Sequence, residues 1–337
     1  MTPNSIAAFL LRETMSYVDN YAYPIYVRQG RNRTKFKAGF INAAGKTVID
    51  PHFDDARPFS EGLAPVRLNG KWGAIDRSGV FVIPCTHQGV GLKFSEGKIE
   101  FTVGNRHGIL GRDGSIIVPP KYHAISPFNE GAAYVWDGKQ YGFINELGQE
   151  FIPLFFEDVR EFSHGLAPVK LGGKWGYIDR KAHFVIEPRF DFALPFHNHL
   201  ARVAVGGRWG PFGFINTLGE IVIPVQFRSA YDFQEGLAAA ATEKKGPWGY
   251  INKHGQFTIL PVYRYVKQFS EGLAAVSPVG ERMTHFITAN GERAFSGEYL
   301  GTNSFEKQRC LVSSIKTISY IDREGRMIWE GPYVRRV

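Results

Sequence analysis

The stretch Phe59–Gly79, FSEGLAPVRLNGKWGAIDRSG, decides the fold. Leu63 to Asn69 alternates apolar and polar residues and runs into Asn69-Gly70, the pair that suits a two-residue hairpin turn because both of its residues need φ > 0. The chain must therefore reverse, and KWGAID returns as a second strand. Asp76-Arg77-Ser78-Gly79 forms another turn, in which an Asp carboxylate accepts from nearby backbone N–H groups and Gly takes the left-handed conformation. A third strand, VFVIP, is expected to end at Pro84, whose missing N–H stops a ladder.

The same text recurs along the chain. FSHGLAPVKLGGKWG ends at Gly176, and FSEGLAAVSPVG starts at Phe269. An anchor of Gly, an aromatic or apolar residue, Ile, and Asp or Asn appears at Gly39-Phe-Ile-Asn42, Gly73-Ala-Ile-Asp76, Gly142-Phe-Ile-Asn145, Gly176-Tyr-Ile-Asp179, Gly213-Phe-Ile-Asn216 and Gly249-Tyr-Ile-Asn252. Degenerate copies sit at Gly108, His285 and Ser319, so the spacing is 34 to 37 residues throughout. A third signature, Pro-x-aromatic-x-x-small-x-x-Phe, joins consecutive copies, as in Pro51-Phe53-Ala56-Phe59 and Pro188-Phe190-Ala193-Phe196. Its spacing fits neither a strand nor a helix and predicts a bulged strand or a tight turn.

These residues resemble the bacterial WG-repeat family, also called KWG repeats, after the Trp-Gly pairs at Trp72-Gly73, Trp175-Gly176 and Trp248-Gly249. The likeness runs from about Tyr21 to the C-terminus, as eight full units and two half units. It implies a scaffold without defined chemistry, in some members tied to toxin immunity or secretion.

One unit has too few strands to bury its apolar face, so neighbours must stack and the core must lie between them. The expected fold is all-β: a tandem array of short antiparallel meanders stacked into an open superhelix or solenoid, with a closed β-propeller-like toroid as the alternative. The units are shorter than the roughly 40 to 45 residues usual for a propeller blade, which favours the open form. In the closed form, the half units Tyr21–Lys37 and Ser319–Val337 would join into one blade. Residues 1–20, with Ile6, Phe9, Leu10 and Tyr17 on one helical face, are read as a capping helix, and 21–337 as the repeat domain.

Composition agrees. Of 337 residues 44% are hydrophobic and 14% aromatic, while Met numbers only 4, so β-favouring side chains dominate and disorder is excluded. Cys85 and Cys310 are too few for a disulfide framework and are read as free thiols. The apolar run Ile6 to Leu11 is too short for a signal-peptide core, and nothing approaches a membrane span, so a cytoplasmic protein is expected.

The candidate sites are few. The net charge is +8. Arg31, Arg33, Lys35 and Lys37 alternate and on a strand would share a face, offering an edge for phosphates or an acidic protein; the plainer alternative is a solvated edge that blocks strand pairing. Glu61, Glu96, Glu130, Glu235 and Glu271 precede the Gly of each EGL turn and are expected to satisfy donors of their own turn. The Trp-Gly pairs are expected to pack between units, with Gly letting a backbone come close. His197-Asn198-His199, on a strand, would put two imidazoles on one face near His164 and His183, but nothing in the spacing makes them converge and no metal site is assigned. No nucleophile–base constellation or phosphate loop can be placed, and no cofactor is expected. The function expected is a non-enzymatic protein-interaction scaffold, in its specific form an immunity or adaptor protein holding a toxin or secretion partner. The alternative is binding of nucleic acid or another anionic polymer through the basic edge.

Overall fold

The computed structural model describes residues 22–28, 36–208 and 210–332. Among these there is no helix, and the strands form eight antiparallel sheets in strict sequence order. The expected capping helix lies outside the described residues.

The sheet around Trp175 shows how each unit is made. Its strands are Asp158–Val159, Ala167–Leu171, Lys174–Ile178 and Phe184–Phe190. The first, only two residues long, comes from the aromatic connection, which bends and pairs briefly before turning at Ser163–Leu166. A two-residue first strand is why 34 to 37 residues suffice for a four-stranded sheet. In the copy around Trp72, the hairpin at Asn69 (φ 53°) and Gly70 (φ 77°) joins Leu63–Leu68 to Lys71–Asp76 as its sequence requires. Asp76 Oδ1 accepts from the backbone N–H of Ser78 at 2.9 Å and of Val80 at 3.0 Å, closing the next turn.

Pro84 does not end its strand. Phe81–His87 runs through it, and the register jumps between Trp72↔His87 and Ala74↔Ile83. The extra residues form a bulge on the last strand of the sheet, where a missing N–H costs no ladder bond. The same jump recurs at Trp175/Tyr177 and at Trp248/Tyr250. It explains the Gly of Trp-Gly: a Cβ on Gly73 would lie 2.3 Å from the Ile83 carbonyl oxygen, and one on Gly176 2.5 Å from that of Ile186. The close backbone is thus the next strand of the same sheet, not that of the next unit.

The chain forms two compact units, one holding Met1–Gly104, Leu110–Ser115 and Phe305–Val337, the other Asn105–Ile109 and Ile116–Ser304. In the second, the apolar clusters lie between consecutive sheets: Trp175, Tyr177, Ile186 and Phe190 pack with Phe196 and Val203 of the following sheet. In the first, Phe40 and Phe53 pack with Phe59 and Val66 in the same way. Also within this first unit, Tyr23, Ile25 and Ile41 of the first sheet pack against Tyr320, Ile328 and Trp329 of the last, and the Tyr320 hydroxyl donates to the Pro24 carbonyl at 3.1 Å.

The expectation of an open superhelix is therefore corrected in favour of the β-propeller alternative, since an open array keeps its first and last repeats apart. The two half units are corrected too. Tyr23–Arg28, Phe36–Ile41 and Thr47–Phe53 make one sheet, while Cys310–Ser313, Thr317–Ile321 and Met327–Pro332 belong to another. Nine anchors occupy eight sheets because the six-stranded sheet contains two of them, joined by the ten-residue strand Phe257–Val266.

Candidate functional site

Most residues that recur in the sequence are consumed by folding. Glu61 and its Gly62 both have positive φ, and the Glu carboxylate does not serve its own turn. It accepts from the N–H groups of Glu96 at 2.8 Å and Gly97 at 2.7 Å, in the turn of the following sheet. Glu130 does the same for His164 and Gly165, and Glu235 for Glu271 and Gly272. Each is a charge-assisted clamp between consecutive repeats, invisible in one repeat read alone. Arg112 adds a bond to the Glu61 carbonyl at 2.5 Å, and Arg180 makes the same bond to the Glu130 carbonyl. A shallow depression of about 510 Å³ lies beside this second clamp, lined by Glu130, Glu146, Leu147 and Arg180.

Trp72 and Trp175 are buried, at 7% and 4% exposure, so neither is a stacking platform for a ligand. Each carries an arginine on its face: Arg57 at 4.2 Å from the Trp72 ring centre and Arg160 at 4.9 Å from that of Trp175. Tyr231 takes this place over Trp248, with ring centres 5.1 Å apart.

Of the basic stripe, Arg31, Arg33 and Lys35 lie outside the described residues. Lys37 is not free: its ammonium donates to Asp54 Oδ1 at 2.7 Å, and Asp54 Oδ2 also accepts from the Gly70 N–H. Burial works against the Asp54 charge, yet these bonds outweigh it and hold the carboxyl below the ordinary range. Lys37 thus fills the position of Lys174, which pairs with Asp191 at 2.5 Å, and is a repeat residue rather than part of a separate basic edge. Sequence alignment of Lys37-Ala38-Gly39 with Lys174-Trp175-Gly176 carries that signal; the missing Trp conceals it.

The histidines are placed otherwise than expected. His197-Asn198-His199 is a turn, not a strand, with positive φ at Asn198 and His199. His199 meets His164, with ring centres 4.5 Å apart, whereas His183 pairs with Asp179 at 3.5 Å. Among the described residues no group of three or more His, Cys, Asp or Glu side chains converges. Both cysteines are free, and burial pushes the Cys85 thiol up, away from the thiolate.

The positions folding does not consume lie on the strand that follows each Gly-x-Ile anchor, which is the last of its sheet except for Phe257–Val266, where the chain pairs onward into a further hairpin. There, several side chains beside buried ones are apolar yet exposed, among them Phe155 at 54% and Leu260 at 68%, with Val185, Ile221 and Val262. The place of Phe155 holds His52, Thr86, Lys121, Arg189, Gln226 or Val262 in other copies, and that of Leu260 holds Asp50, Pro84 or Glu187, so these two vary, whereas Val185 matches Val48, Val82 and Val222. Sequence reasoning missed them because it assigned apolar residues to the core by default; their alternation with Ile152, Ile186, Ile223 and Ile259, all buried, was the available signal.

No described helix is long and apolar enough to cross a membrane. The fold is similar to that in "Crystal structure of the eukaryotic initiation factor", at 11% identity over 93% of this chain and 96% of that one, with a TM-score of 0.65. Also similar are a Kluyveromyces lactis Hsv2p structure (8% identity, 71% and 95% covered, TM-score 0.45) and a virginiamycin B lyase from Staphylococcus aureus (13%, 71% and 92%, 0.38). Of the three, the first bears on the fold. No curated protein sequence matches the chain. The family model for the WG containing repeat matches seven times, over residues 39–72, 72–106, 108–135, 141–175, 175–209, 212–245 and 248–277. With most of its length matched by these repeats, the chain belongs to the WG-repeat family.

Proposed function

We propose that the protein is a non-enzymatic scaffold that holds a protein partner on the exposed apolar positions of the strands that follow its Gly-x-Ile anchors. One observation carries this: the side chains that repeat are largely committed to clamps, turns and packing, while at places that vary from copy to copy Phe155 and Leu260 are apolar and exposed. Apolar surface kept outside a well-filled core favours association. Edge strands offer backbone groups to a partner as well. Among the described residues no set of side chains suited to acid–base or nucleophilic chemistry supports an enzymatic reading.

In its specific form the protein is an immunity or adaptor protein whose partner is a toxin or a secretion component, working in the cytoplasm, where free Cys85 and Cys310 persist. The pairing of Lys37 with Asp54 takes support from the nucleic-acid alternative.

The test is capture from the source cell with the purified chain. A single stoichiometric protein is expected, lost when Phe155 and Leu260 are changed together to Glu; background binding alone overturns the proposal.

A further inference from the structure

One position changes its chemistry from copy to copy in a way that folding does not require. Where a sheet's last strand gives way to the next sheet, the chain reads Phe53-Asp54-Asp55-Ala56, Phe156-Glu157-Asp158-Val159 and Phe190-Asp191-Phe192-Ala193. In each, the second residue is an acid that caps the following hairpin. Asp54 accepts from Gly70 N–H at 3.0 Å, Glu157 from Gly173 at 3.1 Å, and Asp191 from Gly206 at 2.7 Å and Gly207 at 2.9 Å. Elsewhere the position holds Gln88, His123 and Arg228, and inside the six-stranded sheet the corresponding residues are Tyr263-Arg264-Tyr265-Val266.

Arg264 inverts the polarity of the cap. Its Nε and Nη2 donate to the Glu281 carbonyl, at 3.2 and 3.0 Å, and Nη2 also reaches the hydroxyl of buried Ser277 at 3.1 Å. The guanidinium is thereby held in one orientation, with Nη1 left over. Arg264 lines a cleft of about 240 Å³ together with Arg282, Tyr265, Thr284, Leu300, Gly301 and Thr302. No carboxylate is among the lining residues. Arg282 is exposed, and no hydrogen bond or ion pair engages its side chain among the described residues. The Thr302 hydroxyl is buried and has no hydrogen-bond partner. Two uncompensated guanidinium groups and an orphaned hydroxyl at one small cleft form an arrangement completed by an anion.

We infer that the Arg264–Arg282 cleft binds a single oxyanion group, the carboxylate of an acidic side chain on a partner protein. This deepens the scaffold proposal and rests on it. A nucleic-acid backbone needs a run of cations along the strand, and only two line this cleft, whereas the exposed Leu300 and Tyr265 at its rim suit an apolar neighbour of the acid. A planar guanidinium, always charged, matches carboxylate geometry better than a lysine would.

The experiment measures fluorescence polarisation of a labelled Gly-Leu-Glu-Leu-Gly amide on the full chain, beside its Gln counterpart and a single-stranded oligonucleotide. The Glu peptide is expected to bind about tenfold more tightly than the Gln peptide, and Arg282→Gln to remove that difference without changing the melting temperature. Arg282→Lys should restore part of it. Equal binding of the two peptides, an unchanged preference in Arg282→Gln, or Arg282-dependent binding of the oligonucleotide in place of the peptide overturns the assignment. A partner captured equally by wild type and Arg282→Gln overturns the cleft while leaving the scaffold standing; peptide binding that needs Arg282, with no partner captured, upholds the cleft and overturns the scaffold.

Discussion

The sheet of Asp158–Phe190 and the segment Phe257–Thr288 are built on the same repeat, and they differ at one junction. Both place a Gly against a bulged strand, both bury a tyrosine whose hydroxyl donates to a backbone carbonyl, Tyr177 to Leu194 and Tyr250 to Lys267, and both carry a Trp under a covering side chain. They diverge where Asp191 caps a hairpin with negative charge and Arg264 caps one with positive charge. What must be identical for folding is backbone geometry and apolar volume. A hairpin has both N–H and carbonyl groups to satisfy, so the sign of its cap is free to vary, and that freedom is where a repeat acquires a site.

The largest effect comes from the shared geometry. Gly176→Ala and Gly249→Ala each put a Cβ within 2.5 Å of a carbonyl oxygen, that of Ile186 or of Ile259. Each is expected to cost about 3 kcal/mol or more in urea unfolding. Tolerance of one and not the other would show that the two regions do not share the bulge as a structural requirement.

Next are the buried tyrosines. Tyr177→Phe and Tyr250→Phe leave the Leu194 and Lys267 carbonyls without their donors, and each is expected to cost about 1 to 2 kcal/mol. Thermal melts of the two variants should match; a clear inequality would mean the two cores differ as well as the caps.

The caps themselves separate in acid. The ammonium of Lys174, then the N–H groups of Gly207 and Gly206, hold the Asp191 carboxyl below the ordinary range. A folded-state value below the unfolded one means the stabilisation is complete above about pH 4 and disappears as the pH falls through the folded value. Asp191→Asn is expected to lower stability by about 1 kcal/mol at neutral pH and to flatten the loss below about pH 4. Arg264→Gln is expected to cost a similar amount, about 1 kcal/mol, with the acid loss of the parent unchanged. Stability followed against pH by circular dichroism checks both, and an acid profile altered by Arg264→Gln would break the contrast.

The smallest effect on stability is expected at the exposed apolar positions. Leu260→Ser and Phe155→Ser should stay within about 0.5 kcal/mol of the parent in urea, because these side chains are mostly in water already. A larger loss would show that they belong to the core and would remove them from the interaction surface.

Local features were legible in the sequence and remote ones were not. The Asn69-Gly70 hairpin and the Asp76 turn follow from φ preferences and from a side chain bonding its own neighbours, so a few residues contain all the physics. The distribution of core between repeats also followed, since Phe, Trp and Ile recur once per unit. Glu61 was read as serving its own turn because a repeat shows what recurs, not which copy it touches. Lys37 looked like part of a basic edge because its carboxylate partner lies 17 residues away across the next turn. At the cleft, the tyrosines flanking Arg264 were visible and the convergence of Arg282 and Thr302 on it was not.

The sequence by itself determined the meander, its period, the turn chemistry and the family, because each depends on contacts within about one repeat. Only the tertiary structure decided that the first and last repeats pack together within their unit, that carboxylates clamp successive turns, and that two arginines share one cleft. Packing of the chain ends depends on groups far apart in sequence, such as the Tyr320 hydroxyl on the Pro24 carbonyl, 296 residues away, and a local pattern of turns and strands does not couple them.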